Sequence, residues 1–367
     1  MRIGIDARLT YHRQAGISQY TVQLIEALSR LELEDDFVVI ESFRSREPII
    51  EHPRFATRRA LTPSHHRLEQ YTLPLELAPM RLDILHSPDF IPPFRAKARS
   101  VITVHDLAFL MFPQFLTKDS ARYYGQIDHA VRHAAGVIAV SHATKKDMVQ
   151  LLGVPEHRIK VIYEAASPIF RPLQADDLVQ RVRGRFGIPG PFLLFVSTIE
   201  PRKNVPVLLR AYRQLRDNYG VDARLVLAGD KGWLFDEVFD LTRRLELEDH
   251  VLFLGRVTTK ELLWLYNTAE VLVAPSIYEG FGLIPLEAMA CGTPVIVSNV
   301  SSLPEIVADA GLSVDPTDAE ELTVAMWRVL DDRDLRDTLV KKGLKRAALF
   351  SWDKAARETL ALYKSIT

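Results

Sequence analysis

The side chains best suited to chemistry are two carboxylates, Glu279 and Glu287, in the glycine-containing segment EGFGLIPLE. Glycines let backbone N–H groups approach a ligand closely, and the start of the following helix attracts anions. Two carboxylates eight positions apart on one helix would lie roughly on one face. We expect one to reach sugar hydroxyls and the other ribose hydroxyls. The spacing alone also fits a glycine-rich turn with two surface glutamates.

A second candidate is the basic turn STIEPRKN, residues 197–204, which follows a predicted strand. An arginine can bind two phosphate oxygens at once and a lysine adds a point charge, so Arg202 and Lys203 suit a diphosphate. By itself the pattern also fits a solvated basic turn.

Two weaker signals lie in the first half of the chain. AGISQYT, residues 15–21, places Gly16 in a loop after a predicted strand, and VHDLAFL, residues 104–110, places His105 at the carboxyl end of another. A loop glycine is weak evidence by itself, and a histidine after a strand is often structural.

The elements that must position these residues alternate between short β-branched runs and helical patterns, which predicts doubly wound parallel sheets. The first series of predicted strands covers residues 2–6, 37–41, 100–104, 136–140 and 160–163. The second covers residues 192–197, 223–229, 251–255, 270–276 and 293–298. Ligands of such sheets bind beyond the carboxyl ends of the strands, where the motifs lie.

The alternation breaks in the stretch EAASPIFRPLQADD, where Pro168 and Pro172 indicate a linker. We therefore predict an α/β protein with two Rossmann-like domains, residues 1–172 and 173–351, facing each other across a cleft. The amphipathic segment 352–367 is predicted to return and complete the first domain.

The bulk composition limits the class of protein. A length of 367 residues favours two domains, and a net charge of −1 argues against a nucleic-acid partner. We find no apolar run of about 18 residues and no secretory signal pattern at the N-terminus. With Cys291 as the single cysteine, no intramolecular disulfide can form. We expect a cytoplasmic protein, with the inner face of the membrane as a further option.

The charge is unevenly distributed. Residues 1–172 carry 22 basic and 19 acidic side chains, a balance of +3, and the remainder carries 24 and 28, a balance of −4. Residues 52–68 contain arginines and histidines but no acid. This stretch fits either a solvated, partly mobile loop or a surface for an anionic acceptor or membrane, and residues 54–67 are the candidate for peripheral membrane contact.

Taken together, these motifs resemble the group-1 family of retaining glycosyltransferases with the GT-B fold. EGFGL, LEAMA and GTPVI match its glutamate–seven–glutamate signature in register. Further similarity in VSHATKKD, GDKGW, LGRV, SSLPEIV and FSW extends it over nearly the whole chain. The sequence departs from the family at Thr198, where many relatives have arginine, at Ile284, where proline is common, and in VIYEAAS, residues 161–167.

The resemblance implies a site for a nucleotide diphosphate sugar. Glu279 would lie beside the donor sugar, Glu287 would hold the ribose, and Lys203 and Arg202 would face the leaving diphosphate. His105 would bind the sugar and Gly16 would pass close to the phosphates. The remaining donor-binding positions would be Ser197, Arg256, Val257, Gly280, Phe281, Gly282 and Leu283.

Other chemistries find less support. The sequence has no GxxxxGK[ST] loop, no complete dinucleotide fingerprint and no HExxH, and one cysteine cannot make a cysteine-rich zinc site. Asp332 and Asp334 form a DxD string far along the chain from every motif, so we interpret it as a solvated helix connection. We expect neither a metal nor a cofactor.

The resemblance favours transfer of mannose from a GDP donor, with a UDP-sugar as the alternative. The expected acceptor is a saccharide or lipid-linked saccharide of bacterial polysaccharide or glycoconjugate synthesis. Two other hypotheses remain open: a catalytically silent GT-B scaffold subunit, and a sugar-nucleotide epimerase on the same fold.

Overall fold

The computed structural model describes residues 1–11, 16–115, 118–174, 177–232 and 235–367. Its contacts divide the chain into two compact units: Met1–Glu164 together with Ser351–Thr367, and Ala165–Phe350. The contacts place residues 165–172, which the sequence prediction assigned to the first domain, in the second unit.

The strands of the described residues fall into two groups, one for each unit. The first unit contains β1 (Arg2–Asp6), β2 (Asp36–Ser42), β3 (Phe55–Ala60), β4 (Ile84–Ser87), β5 (Arg99–Val104), β6 (Gly136–Ala139) and β7 (Ile159–Val161). The second contains β8 (Phe192–Val196), β9 (Arg224–Ala228), β10 (Val251–Gly255), β11 (Val271–Ala274), β12 (Val295–Ser298) and β13 (Leu312–Val314).

Helices connect the strands. Up to the unit boundary they are α1 (Gly16–Ser29), α2 (Glu69–Leu77), α3 (Ala108–Met111), α4 (Lys118–Tyr124), α5 (Ile127–His133) and α6 (His142–Leu152). Within the second unit they are α7 (Leu178–Phe186), α8 (Val205–Tyr219), α9 (Phe235–Arg244), α10 (Thr259–Thr268), α11 (Leu283–Ala290), α12 (Leu303–Val307), α13 (Ala319–Asp331) and α14 (Arg333–Ala347). The last helix, α15 (Trp352–Ser365), lies in the segment that returns to the first unit. None of the helices in the described part is both long and apolar enough to cross a bilayer.

The first unit is built on a parallel sheet with the strand order β3-β2-β1-β4-β5-β6-β7. The order changes direction between β1 and β4, which are neighbours although two strands separate them along the chain. Helix α15 packs on α1, with the Trp352 ring 5.7 Å from that of Tyr20. The Tyr363 hydroxyl lies 2.6 Å from Nδ1 of the buried His86. The last helix therefore belongs to the first unit.

The sequence pattern did not predict two strands of this sheet. β4 has four buried residues, but its third is His86, so the run looks too polar for a central strand. β3 pairs with β2 alone at the sheet edge and carries Arg58 and Arg59 on its exposed positions. The interpretation of residues 52–68 as a solvated loop is therefore wrong for Phe55–Ala60, which form a strand.

The second unit has a parallel sheet with the strand order β10-β9-β8-β11-β12-β13. Its apolar core combines strand residues with one face of α8, where Leu208, Tyr212 and Leu215 recur at helical spacing and are fully buried. The three-residue strand β13 is too short for the sequence pattern to reveal. The two sheets confirm the predicted doubly wound α/β architecture.

Candidate functional site

The strand order brings the two main motifs of the second unit together. β8 and β11 are adjacent in the sheet, so the residues that follow their carboxyl ends meet at one edge. Lys203 lies in a 3-10 turn, Pro201–Lys203, beyond β8, and Glu279 follows β11. The pair is separated by 76 positions in sequence and joined by an ion pair in the structure.

The geometry of this cluster is centred on the Glu279 carboxylate. Its Oε1 lies 2.5 Å from Lys203 Nζ and accepts a hydrogen bond of 2.8 Å from Ser276 Oγ. Its Oε2 lies 3.3 Å from Nη1 of Arg202. Burial by itself would raise the pKa of Glu279, but the two cations outweigh it and lower the pKa to about 2. The carboxylate is therefore ionised at any physiological pH.

The two cations are themselves constrained. Burial and the neighbouring guanidinium of Arg202 lower the pKa of Lys203, while Glu279 opposes this shift. Nε of Arg202 also lies 2.6 Å from Glu200 Oε1. The cluster thus holds two cations beside two carboxylates, and Lys203 is tied to Glu279 instead of standing alone as a phosphate ligand.

Backbone contacts fasten the two loops to each other. Ile277 N–H donates to the Arg202 carbonyl at 2.8 Å. The Asn204 side chain donates to the carbonyls of Pro275 at 3.0 Å and Pro316 at 2.6 Å. Asn204 has a φ of 59°, a left-handed conformation that asparagine tolerates well. Sequence reasoning missed Asn204 and Ser276, although both lie inside the motifs.

A pocket opens beside this cluster. Of the predicted site residues, it is lined by Ser197, Lys203, Glu279, Gly282 and Leu283. Helix α11 begins here, and helical geometry gives the N–H groups of its first residues, Leu283 and Ile284, no partner within the helix. Gly282 has a φ of 111°, which L-residues with a side chain rarely adopt.

The structure corrects the prediction that Glu279 and Glu287 share a helical face. α11 starts at Leu283, so only Glu287 is helical. Glu287 is 4% exposed, accepts a 3.0 Å hydrogen bond from Tyr266 and is not among the residues that line the pocket. Burial raises its pKa to about 8, and the Tyr266 hydrogen bond opposes that shift only in part.

The remaining donor-binding candidates of the second unit lie around the same sheet edge. Gly229 has a φ of 149°, and a Cβ there would lie 1.9 Å from the Ser197 carbonyl oxygen, which explains why the GDKG segment needs glycine. Trp233 of that motif lies outside the described residues. Arg256 and Val257 follow β10, the former exposed and the latter half-buried.

The other two glycine-turn positions, Gly280 and Phe281, are buried. The Phe281 ring packs edge-on against Phe350 at 5.9 Å, so its side chain belongs to the core of the unit. Its carbonyl accepts a hydrogen bond of 2.7 Å from Ser302. Phe281 therefore shapes the turn through packing and backbone contacts.

In the first unit, His105 follows β5 and uses both ring nitrogens. Nδ1 lies 2.8 Å from Glu164 Oε1, and Nε2 lies 3.0 Å from the Pro88 carbonyl oxygen. A carbonyl only accepts, so Nε2 carries a proton. Burial disfavours the charged ring, but Glu164 outweighs it and the pKa of His105 is raised. Sequence reasoning gave Glu164 no role, although it lies in the segment that departs from the family pattern.

The other predicted features are simpler. Gly16 is the first residue of α1, and a Cβ there would meet nothing within 4 Å; the preceding Ala15 lies outside the described residues. The Asp332 side chain caps α14 by accepting from Leu335 N–H at 2.9 Å, in agreement with a helix connection. Within the described chain, no group of three histidine, cysteine or acidic side chains is placed to hold a metal.

Two family models match the chain, one in each half. Residues 180–346 match "Glycosyl transferases group 1" and residues 15–167 match "Glycosyltransferase Family 4". The O-antigen chain mannosyltransferase B of Escherichia coli is 36% identical over 77% of this chain and 74% of its own length.

Solved structures share the architecture. Sucrose-phosphate synthase from Thermosynechococcus elongatus superposes with a TM-score of 0.81 at 24% identity, covering 100% of this chain and 98% of its own. HepE of Anabaena, solved in complex with UDP and glucose, superposes with a TM-score of 0.79 at 19% identity, covering 100% of both chains. At these identities the likeness shows the fold.

Proposed function

Because the chain belongs to the group-1 family of glycosyltransferases and has the GT-B fold, we propose that it is a retaining hexosyltransferase. It moves a hexose from a nucleotide diphosphate sugar to a saccharide or lipid-linked acceptor. No metal takes part, because protein cations and helix N–H groups stabilise the leaving diphosphate.

The observation that carries this proposal is the cluster of Glu279, Lys203 and Arg202 beside the first turn of α11. Breaking the glycosidic bond places negative charge on the diphosphate and positive charge on the sugar. The positive charges of Lys203 and Arg202 and the N–H groups of α11 can stabilise the negative charge on the diphosphate. The Glu279 carboxylate can stabilise the positive charge on the sugar. Because this carboxylate stays ionised, it acts as an anion and hydrogen-bond acceptor, not as a general acid.

We assign the sugar contact of the first unit to His105. Glu164 beside Nδ1 and the Pro88 carbonyl beside Nε2 both favour the protonated ring, in which each nitrogen donates a hydrogen bond. The assignment predicts that the Nε2 hydrogen of His105 is donated to a sugar hydroxyl or a phosphate oxygen when the donor binds. This hydrogen bond then replaces the one to the Pro88 carbonyl, or the two acceptors share the hydrogen.

The donor is proposed to be GDP-mannose, in keeping with the E. coli mannosyltransferase relative. A UDP-sugar is the alternative, in keeping with the UDP bound to HepE. A thermal-shift panel of GDP, UDP and ADP tests this, because a ligand selective for the native state raises its melting temperature by mass action. Stabilisation by GDP alone is expected, and stabilisation by none of the three would contradict the proposal.

Transfer itself is tested by incubating the protein with the stabilising nucleotide's sugar and a set of lipid-linked oligosaccharides. Release of nucleotide diphosphate with a hexose mass added to one acceptor is the expected outcome. NMR of the product's anomeric centre then decides between retention and inversion. Interconversion of the donor sugar without an acceptor would instead indicate an epimerase, and no reaction with any donor would favour a silent scaffold.

An exposed surface of the first unit supports an acceptor on a membrane. Leu61, Leu68, Tyr71 and Leu75 are 70%, 55%, 55% and 75% exposed around α2. The exposed arginines of this surface are Arg54, Arg58, Arg59 and Arg67. Apolar side chains beside arginines fit the interface of an anionic lipid surface. We therefore propose that residues 54–75 contact the membrane that carries the acceptor.

Sedimentation with phosphatidylglycerol vesicles tests this surface, with phosphatidylcholine vesicles as the neutral comparison. Wild type is expected to sediment with the anionic vesicles, less so at high salt. Leu68→Ser/Leu75→Ser should reduce this binding, whereas the exposed Leu349→Ser in the second unit should not. Equal sedimentation of all three proteins would contradict the assignment.

A further inference from the structure

A third loop reaches the edge of the second sheet where Glu279 lies. β12 is hydrogen-bonded to β11 on the side away from β8, so the residues that follow its carboxyl end meet those that follow β11. This loop carries two consecutive serines, Ser301 and Ser302, immediately before α12. Neither serine is among the residues that line the pocket beside Glu279. An influence of this loop on the site must therefore pass through the residues that it contacts.

Ser301 has an unusual backbone conformation. Its φ is 57°, in the left-handed region that disfavours residues with a side chain. Its hydroxyl oxygen accepts a hydrogen bond of 3.3 Å from the Glu279 N–H, and the hydroxyl also contacts the Glu279 carbonyl oxygen as a donor. The strained residue thus holds both backbone polar groups of Glu279 with one side chain.

Ser302 departs from a second local preference. It directly precedes α12, where a serine side chain commonly accepts from an N–H of the first helical turn, but it makes no capping bond of this kind to Leu303–Val307. Ser302 is fully buried, and its hydroxyl lies 2.7 Å from the Phe281 carbonyl oxygen and 2.9 Å from that of Glu279. Since a hydroxyl carries one hydrogen, the two carbonyls share it. The side chain therefore serves the turn after β11 and not its own helix.

These hydrogen bonds set the direction of the peptide groups in the turn 279–282. A trans peptide places its carbonyl and its N–H on opposite sides. Because the carbonyls of Glu279 and Phe281 face the serines, the N–H groups of Gly280 and Gly282 point away from them. Gly282 lines the pocket and directly precedes α11. The serine loop thereby controls both the backbone of Glu279 and the turn that leads into α11.

The local cost of this arrangement points to a role beyond folding. Glycine at position 301 would adopt the same φ without strain, but it would supply no hydroxyl to Glu279. A strained serine lies next to a serine that leaves its own helix uncapped, and both side chains serve the same turn. Such conflicts with local preference are kept mainly where function requires them.

We propose that Ser301 and Ser302 are positioning residues for Glu279. They act through its backbone and through the turn 279–282, and they fix where the Glu279 carboxylate lies. The effect on catalysis rests on the proposed function, which gives Glu279 its role beside the sugar. Control of the turn by the two serines depends on the hydrogen bonds alone.

Two pairs of variants test this assignment in the full-length protein. Ser301→Gly removes the hydroxyl and relieves the strain, and its matched control is Ala308→Gly, at an exposed residue just after α12 with a φ of 51°. Ser302→Ala is matched by Ser298→Ala at the end of β12, where the buried hydroxyl has no partner among the described residues. Ser301→Gly should stay within about 3 °C of the wild-type melting temperature, because relief of strain offsets the lost hydrogen bonds.

Hydrogen–deuterium exchange mass spectrometry measures the order of the turn without any substrate. The peptide that spans residues 279–283 should exchange about fivefold or more faster in Ser301→Gly and Ser302→Ala than in the two controls. Steady-state kinetics with the sugar donor and acceptor measures the consequence. In Ser301→Gly, kcat should fall about tenfold or more although the melting temperature is kept, because a small displacement of a catalytic group slows the reaction strongly. A purely structural role would lower the melting temperature and leave kcat unchanged.

Wild-type exchange of the turn in both serine variants would overturn the proposal, whatever their activity. Faster exchange together with wild-type kcat in Ser301→Gly would refute the part that concerns catalysis. Ser301→Gly keeps both tests valid if Ser302→Ala folds poorly, since glycine suits its backbone. If wild type binds no nucleotide diphosphate and transfers no sugar, the proposed function fails, and the exchange measurement still decides whether the serines hold the turn.

Discussion

At the scale of single residues, the second unit places an ionised carboxylate and two cations in one small volume. A buried ion pair that loses one partner leaves the other charge uncompensated, at a cost of about 3–5 kcal/mol. Glu279 and Lys203 therefore combine a structural with a proposed catalytic role, and kinetic tests at these positions need a measurement of stability beside them.

Glu279→Gln is expected to keep nucleotide diphosphate binding and to lose most turnover. The amide retains the shape but not the negative charge opposite the sugar, and loss of one such electrostatic contact costs about 100-fold or more in kcat. Steady-state kinetics beside calorimetry with the free nucleotide diphosphate measures both effects. Turnover close to wild type would show that Glu279 has no part in the reaction.

Lys203→Ala is expected to lower kcat/KM more than it weakens nucleotide diphosphate binding, because charge grows on the diphosphate as the bond breaks. One charge-assisted contact contributes about 1.5–3 kcal/mol to binding. Lys203→Arg should lower kcat/KM and weaken diphosphate binding less than Lys203→Ala does, because arginine keeps the positive charge although its geometry differs.

The control for this prediction separates catalysis from folding. Lys203→Met/Glu279→Gln removes both charges of the pair, so it should recover much of the stability that Lys203→Ala loses while remaining inactive. Normal diphosphate binding and normal turnover in Lys203→Ala would show that residues 197–204 form an ordinary surface loop.

The raised pKa of Glu287 predicts that the free energy of unfolding depends on pH. Its pKa is raised from 4.5 to about 8 by burial, so the unfolded chain releases this proton at lower pH than the native protein does. This carboxyl therefore lowers the free energy of unfolding as pH rises from about 4.5 to 8. Glu287→Gln should remove that loss and exceed wild type in stability at pH 8 by on the order of 1–3 kcal/mol.

Thermal or urea unfolding of wild type and Glu287→Gln at pH 5 and pH 8 measures the difference. Glu248→Gln, on the surface of the same unit, is the matched control and should show no gain. A constant difference between Glu287→Gln and wild type at both pH values would mean that Glu287 is ionised in the native protein.

At the scale of elements, the site depends on loops that follow neighbouring strands. Asn204 and the Ile277 N–H hold the loop after β8 against the loop after β11. The GDKG segment after β9 packs its backbone against that of Ser197. Parallel order places these loops at one edge, and the backbone contacts fix their spacing.

Gly229→Ala is expected to destabilise the second unit severely. Its Cβ would lie 1.9 Å from the Ser197 carbonyl oxygen, and its φ of 149° disfavours any side chain, so the loops must move apart. A loss of about 3 kcal/mol or more in the free energy of unfolding is expected. Gly184→Ala in α7, where a Cβ meets nothing within 4 Å, is the control and should be neutral or stabilising. Equal melting temperatures for the two variants would refute this account.

At the scale of the whole molecule, the proposed chemistry requires no metal. Glycosyl transfer activity should persist in EDTA, because Lys203, Arg202 and the start of α11 supply the positive charge for the leaving group. The measurement compares initial rates with EDTA, without it, and after addition of Mg²⁺ or Mn²⁺. Complete loss in EDTA that either ion restores would reject the metal-free mechanism.

Much of the architecture follows from local sequence pattern. Buried parallel strands need continuous apolar runs, so local sequence pattern predicted most strands of both sheets. The motifs between the strands indicated the family. β3, β4 and β13 were missed because an edge strand can carry arginines, a buried strand can contain a histidine bonded from both sides, and three residues make no pattern.

The way in which the side chains of the site meet depends on packing between distant parts of the chain. Sequence spacing marked Glu279 and Lys203 separately, but their ion pair depends on the adjacency of β8 and β11. Sequence spacing also placed Glu287 on one helical face with Glu279. This was wrong because α11 begins only after Gly282, which has a left-handed conformation. Strand order and burial are long-range properties, set by packing across the whole sheet, so no local window of sequence contains them.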